Sequence, residues 1–365
     1  MVSMRADAGL PGGRGRRRWG LTVCVFPIYV GLVVVLALEG ICRLGWVDNP
    51  GYRRQRLRAE ADGGVRVLLL GDSFSADLRG SASRLLKQAL RERDVGLLNV
   101  AGSGFGVRDY LEVLRRDAGS YRPHLVLLNY YVGNDTVDFN LDRVPSRAHR
   151  LVEGALRSFH LGELLLQIRA RWVLQRQLRP VQREAVQAGP RLTNVLNLFL
   201  VEVARKHPEY LTANLLMEHP GAVRSWETNR LLLAEIRRES ERVGARLVVA
   251  ASPSTLQVND QHVAFYTNLG LHYDARIAGS RVPQDRLAAF CREQGIPFLD
   301  LLPAFRARAA ESFYLTNDDH WNAAGNQLAF ETLLRGLEGG GWITPAHTPE
   351  QGLDRKSTRL NSSHA

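Results

Sequence analysis

Cysteine is scarce. Cys24, Cys42 and Cys291 are the only three in 365 residues, too few and too scattered for a disulfide framework or a cysteine-built zinc site. No other metal-ligand spacing stands out. A Walker phosphate loop is missing too, because Gly102-Ser103-Gly104 is not followed by Gly-Lys-Ser/Thr. The expectation is therefore no metal and no cofactor. Internal repeats and low-complexity tracts are also lacking, and 45 % apolar residues argue against global disorder. There is no basic stripe interleaved with aromatics, the usual footprint of nucleic-acid binding. The net charge of +11 is partly an end effect. Residues 1–18 hold five arginines against Asp7, and the last twelve hold Arg355, Lys356 and Arg359 against Asp354. What remains is a modest excess. It speaks against nucleic acid as a partner and is compatible with weak attraction to anionic lipid or acidic glycan.

What the chain does have is one long uncharged run, residues 19–38, WGLTVCVFPIYVGLVVVLAL. A helix of that length spans about 30 Å, the hydrocarbon thickness of a bilayer, and a membrane helix tolerates a proline such as Pro27. A cleaved signal peptide would have a shorter apolar core and a small-x-small site, which Leu38-Glu39-Gly40 matches poorly. A buried core helix would need a comparable run to cover it, and none follows at once. The expected organisation is a basic tail (1–18), a transmembrane anchor (19–42), an arginine- and glycine-rich linker (43–64) and a folded domain (65–345). Arg14, Arg16, Arg17 and Arg18 place the N-terminal side in the cytoplasm and the domain outside it, periplasmic or extracellular, although Arg43, Arg53, Arg54, Arg56 and Arg58 weaken the asymmetry. Residues 354–365 are set aside, since DRKSTRLNSSH resembles the translation of a sequencing-adapter read.

Within the domain, residues 65–75 read VRVLLLGDSFS. A continuous apolar run bounded by glycine suits a strand buried on both faces of a parallel sheet. Further strands are expected at 95–100, 124–131, 245–251 and 296–301. Helices are expected at 76–93, 107–118, 228–243, 282–294 and 323–337. Alternating strands and helices predict an α/β three-layer sandwich around a central parallel sheet. The exception is 138–225, a helical insertion with helices expected at 151–178 and 191–205, read as a lid or partner surface, or as packing against the sheet or the membrane.

Three segments follow consecutive strands and so meet at one sheet edge: Gly71-Asp72-Ser73, the turn 102–106, and Gly133-Asn134-Asp135. A fourth, 317–322 (NDDHWN), precedes the last helix and can return to that edge. Acyl transfer needs a hydroxyl, a base, a group that orients the base, and oxyanion donors. Ser73, His320 and Asp318 could supply the first three. The Ser73 amide, the Gly104 amide and the Asn134 side chain could supply the last. Plainer roles stand beside these: Asp72 and Ser73 as helix caps, His320 as a capping or core histidine, Asn134-Asp135 as a turn, Trp321 as packing.

The four segments resemble, in order, the motifs of the SGNH (GDSL-type) hydrolase family: GDSFS, NVAGSGFG, GND and DDHWNAAGN. Two spacings depart from it. Gly133 adjoins Asn134, where one residue usually intervenes, and an Asp-x-x-His spacing would put Asn317 at the acid. Asp-x-His-Trp-Asn is similar to the membrane-linked branch that includes alginate-acetylation proteins, and there Asp318 fits while Asp319 points elsewhere. The resemblance implies a flavodoxin-like SGNH fold, with Ser73 as nucleophile and amide donor, His320 as base, and Gly104 and Asn134 as further oxyanion donors. It implies an esterase or O-acetylesterase that acts on an acyl ester, with a cell-envelope glycan as candidate substrate. An O-acyltransferase using the same residues, or a non-catalytic envelope binding protein, are the alternatives.

Overall fold

A computed structural model describes residues 14–61, 64–76, 80–137, 147–187, 198–316 and 318–343. Asn317, the first thirteen residues and 344–365 lie outside that set. The described chain divides into two compact units, one comprising Met1–Arg56 with Pro145–Val173, the other Leu57–Val144 with Leu174–Ala365.

The second unit is built on five parallel strands: β1 Val65–Gly71, β2 Val95–Asn99, β3 Leu125–Tyr131, β4 Arg246–Ser252 and β5 Phe298–Asp300. Their order is β2-β1-β3-β4-β5, the flavodoxin-like arrangement. The apolar runs are continuous because both faces are covered. Leu68 and Leu70 pack among Tyr110, Leu114, Leu233 and Ile236 of helices Val107–Tyr121 and Pro220–Arg242. Val67 and Leu69, one residue out of phase, pack among Leu86, Leu90, Leu328 and Leu333 of helices Ala82–Arg91 and Ala323–Gly339. Strand order reverses between β1 and β3, so their C-terminal ends border the crevice where open α/β sheets bind ligands.

The first unit contains helix Arg14–Arg43, whose stretch Phe26–Arg43 is long and apolar enough to cross a membrane. The stretch expected as a linker holds helix Pro50–Glu60. It lacks an apolar stripe, and beside the packing of Leu57 against the core it makes several polar contacts. Asn49 accepts from the Tyr52 N–H at 2.9 Å, Arg53 pairs with Asp48, and Arg54 with Glu163. The insertion is divided as well. Its residues 145–173 belong to the first unit, and its helix breaks at Ser158-Phe159 into Arg147–Arg157 and His160–Gln187. The second expected insertion helix starts at Leu198, and 188–197 lie outside the described residues. The helix expected over 76–93 begins only at Ala82, where the Ser81 hydroxyl caps the Arg84 N–H.

Candidate active site

β1 ends in Gly71, and the chain turns at once. The reason for glycine is a close approach: a Cβ there would lie 2.5 Å from the Ser75 hydroxyl and 3.3 Å from the Asn129 carbonyl. Asp72, fully buried, accepts the Phe74 N–H at 3.0 Å and so starts the single helical turn Ser73–Ser75. Ser73 is the first residue of that turn. Its N–H points out of the helix end, and neither it nor the Gly104 N–H donates a hydrogen bond among the described residues.

Each of the other three segments is bonded directly to residues 71–75. From the turn after β2, the Asn99 side chain donates to the Ser75 carbonyl at 2.7 Å and the Gly102 N–H to the Gly71 carbonyl at 3.1 Å. Gly104 follows, exposed, with φ +75°, a conformation a Cβ would strain. From the turn after β3, Asn134 Nδ2 donates to Asp72 Oδ2 at 3.0 Å, which leaves its second hydrogen for another acceptor. Asp135 is buried and holds that turn, accepting from the Tyr131 N–H at 2.9 Å and from the Tyr110 hydroxyl.

The fourth segment reaches the same place from 247 residues away. A short antiparallel bridge, Tyr314 to Trp321, closes a hairpin in which the Leu315 N–H donates to the His320 carbonyl and the Asn322 N–H to the Phe313 carbonyl, each at 2.9 Å. Asn322 then caps helix Ala323–Gly339 through the Gly325 N–H. At the hairpin tip, His320 Nδ1 lies 2.6 Å from Asp318 Oδ1, and Nε2 lies 2.7 Å from Ser73 Oγ. The ring stacks on Phe74 at 5.0 Å between centroids, and Trp321 packs edge-on against Phe74. Asp319 does not point away as the motif alignment implied: its Oδ1 is 3.3 Å from the same Nδ1. Its backbone N–H donates to Asp318 Oδ1 at 2.7 Å, which fixes the Asp318 carboxylate.

Three carboxylates therefore face one imidazole. Burial alone would lower the His320 pKa. The Asp318 hydrogen bond and the charges of Asp319, Asp318 and Asp72 outweigh it and lift the value to about 9. Burial raises Asp72 to about 6 against the Phe74 and Asn134 hydrogen bonds. Asp318 is held below its ordinary value: burial pushes it up, but bonding to His320 and Asp319 overrides that. Asp318, Asp319 and His320 are close enough to share a cation. In this arrangement, however, both ring nitrogens are committed, one to a carboxylate and one to a hydroxyl.

Some supporting residues were not singled out from the sequence. Asn129 sits inside an otherwise apolar strand, donating to Ser75 Oγ at 2.8 Å and accepting from Ser252 Oγ at 2.6 Å, so β1, β3 and β4 are tied beneath the nucleophile turn. Its signal was a polar residue within a buried run, HLVLLNYY. His262 bonds Thr255 Oγ1 and the Leu315 carbonyl and braces the His320 hairpin. Nothing local in the sequence marks it. A cleft of about 540 Å³ lined by Arg58, Arg66 and Arg122 lies at the opposite end of β1 and includes none of these groups.

The flavodoxin-like sheet thus carries a hydroxyl, an imidazole and a carboxylate in hydrogen-bonded series at its switch point. Residues 210–357 match the family model described as the SGNH hydrolase-like domain of acetyltransferase AlgX. That stretch is under half of the chain. It holds Asp318 and His320, and leaves Ser73, Gly104 and Asn134 outside. Among solved structures, the chain is similar to the acetyl xylan esterase AlAXEase at 10 % identity, over 75 % of this chain and 100 % of that one, with a TM-score of 0.41. It is similar to a catalytic mutant of Axe2, an acetylxylan esterase from Geobacillus stearothermophilus, at 13 % identity over 76 % and 96 %, with a TM-score of 0.40. A protein of the G-D-S-L family from Desulfitobacterium hafniense DCB-2 gives 12 % identity over 75 % and 100 %, with a TM-score of 0.38. No curated protein matches the chain.

Proposed function

We propose that this chain is a membrane-anchored serine esterase that removes an acyl group, most readily an O-acetyl group, from a cell-envelope glycan. The observation that carries the reading is the paired contact of His320, 2.7 Å to the Ser73 hydroxyl and 2.6 Å to the Asp318 carboxylate. With the imidazole neutral, Nδ1–H donates to Asp318 and Nε2 takes the Ser73 proton as Oγ attacks the ester carbonyl. The resulting oxyanion is met by the Ser73 and Gly104 amides and the free Asn134 hydrogen. Collapse expels the alcohol, which leaves with the proton from Nε2, and the acyl group stays on Oγ. Water, deprotonated by the same nitrogen, then releases the acid and restores the serine. A sugar hydroxyl in place of water completes an O-acyl transfer by the same steps. The AlgX description of the matched family model favours keeping this second outcome.

The purified chain in detergent is expected to hydrolyse p-nitrophenyl acetate and to react with a fluorophosphonate probe. Ser73→Ala should lower hydrolysis by about 10⁴-fold or more and abolish labelling. Activity surviving that substitution refutes the assignment. A folded wild-type chain that takes no probe would point instead to a binding protein on the same fold.

A further inference from the structure

Helix Arg147–Arg157 reads RAHRLVEGALR, with apolar residues at 148, 151, 152, 155 and 156. This is the spacing of one helix face, and such a face is normally covered. Here Leu151 is 75 % and Val152 61 % exposed. The corner that follows exposes Phe159, and helix His160–Gln187 continues with Leu165, Ile168 and Trp172, each more than half exposed. Scattered apolar residues on a surface are ordinary, but a contiguous patch marks an interaction.

Two observations indicate what covers it. The first is position. Glu39 lies near the end of the apolar helix Arg14–Arg43, and its carboxylate accepts from the His160 N–H at 3.1 Å and the Leu161 N–H at 2.8 Å. Glu39 is one helical turn, about 6 Å, from Arg43, where the apolar stretch ends. On the anchored reading, this contact fastens the Phe159 corner at the depth where hydrocarbon gives way to headgroups. Trp46, largely exposed just past Arg43, is a residue type suited to that depth. The second is charge. Residues 145–173 hold five arginines against Glu153 and Glu163, the basic bias of helices that lie in an anionic interface.

We infer that helix Arg147–Arg157 and the Phe159 corner lie in the interface of an anionic phospholipid bilayer, beside the membrane-spanning helix, with their apolar face among the upper acyl chains. The inference rests on the anchored reading above. The attachment then has two parts, a span and a surface helix joined through Glu39.

The test uses the full chain in vesicles of phosphatidylcholine and phosphatidylglycerol doped with a phospholipid carrying a photoreactive acyl chain, with adducts mapped on peptides. Adducts are expected on 26–43 and also on 147–159. Leu151→Glu combined with Val152→Glu should reduce those on 147–159 several-fold and leave 26–43 unchanged. Vesicles of phosphatidylcholine alone should reduce them as well. If 26–43 is labelled and 147–159 is not, the surface helix is refuted and the anchor stands. If 26–43 is unlabelled, the anchor itself fails. Disulfide cross-linking of Val152→Cys between copies, without lipid adducts on 147–159, would show a second copy on this face and overturn the inference.

Discussion

At the scale of single residues, the site is governed by how many negative charges face His320. A neutral imidazole is the active form for proton abstraction, and the carboxylates around it stabilise the cation, lifting its pKa to about 9. The kcat/KM for an acyl ester is thus expected to rise with pH through about 9. Asp319→Asn removes one charge 3.3 Å from Nδ1 and leaves the Asp318 bond in place. Less stabilisation of the cation means a lower pKa, so the limb should move to lower pH, as read from the pH profile. Asp318→Asn acts differently: it replaces an acceptor-only carboxylate by an amide that can donate to Nδ1 and favour the wrong tautomer, and it should lower kcat by about 10⁴-fold. The same linkage bears on stability. His320 binds its proton more tightly folded than at its ordinary 6.5, so its contribution is full below about 6.5 and is lost as pH rises through 9. The roles of Ser73, His320 and Asp318 could be argued from the sequence because residue type and motif order carried them. The second carboxylate at Nδ1 could not, because the direction of the Asp319 side chain is set by the hairpin around it rather than by spacing.

At the scale of elements, the strands were legible because burial on both faces leaves an uninterrupted apolar run ending in glycine or a polar turn. Helix Pro50–Glu60 was not. Its contacts are an asparagine cap, several ion pairs and the single Leu57 packed on the core, and none of these leaves a hydrophobic period. The start of helix Ala82–Arg91 was missed for a related reason: Leu78 extends the helical spacing, whereas the Ser81 cap decides where the helix begins. Glycines in helices show how context fixes the sign of a change. Replacing helical glycine by alanine ordinarily stabilises by about 0.5–1 kcal/mol, and Gly119→Ala should do so, since nothing stands within 4 Å of the new Cβ. A Cβ on Gly325 would collide with the Phe313 carbonyl oxygen and lie 3.0 Å from the Trp321 Cβ. Gly325→Ala must push on the hairpin that carries His320. It should destabilise by about 1–3 kcal/mol and weaken hydrolysis as well, both read by urea unfolding and ester assay of the same preparation.

At the scale of the whole molecule, function depends on which side of the membrane the sheet domain occupies. Charge counts on the two sides of the apolar helix are nearly balanced, so distance has to decide. Arg16, Arg17 and Arg18 adjoin the apolar run directly, whereas beyond Arg43 the next arginine is Arg53. If the nearer cluster dominates, the expected topology has the N-terminal side in the cytoplasm and the sheet domain outside it. In a bacterial host, protease added to spheroplasts is expected to degrade residues beyond 43 without lysis. Changing Arg16, Arg17 and Arg18 together to glutamate should protect a fraction of the chain until the membrane is opened. Protection of the unaltered chain would put the domain in the cytoplasm. The serine chemistry would survive that result, because it depends only on the geometry at Ser73 and His320. The envelope glycan would not, because the ester could then never reach the hydroxyl.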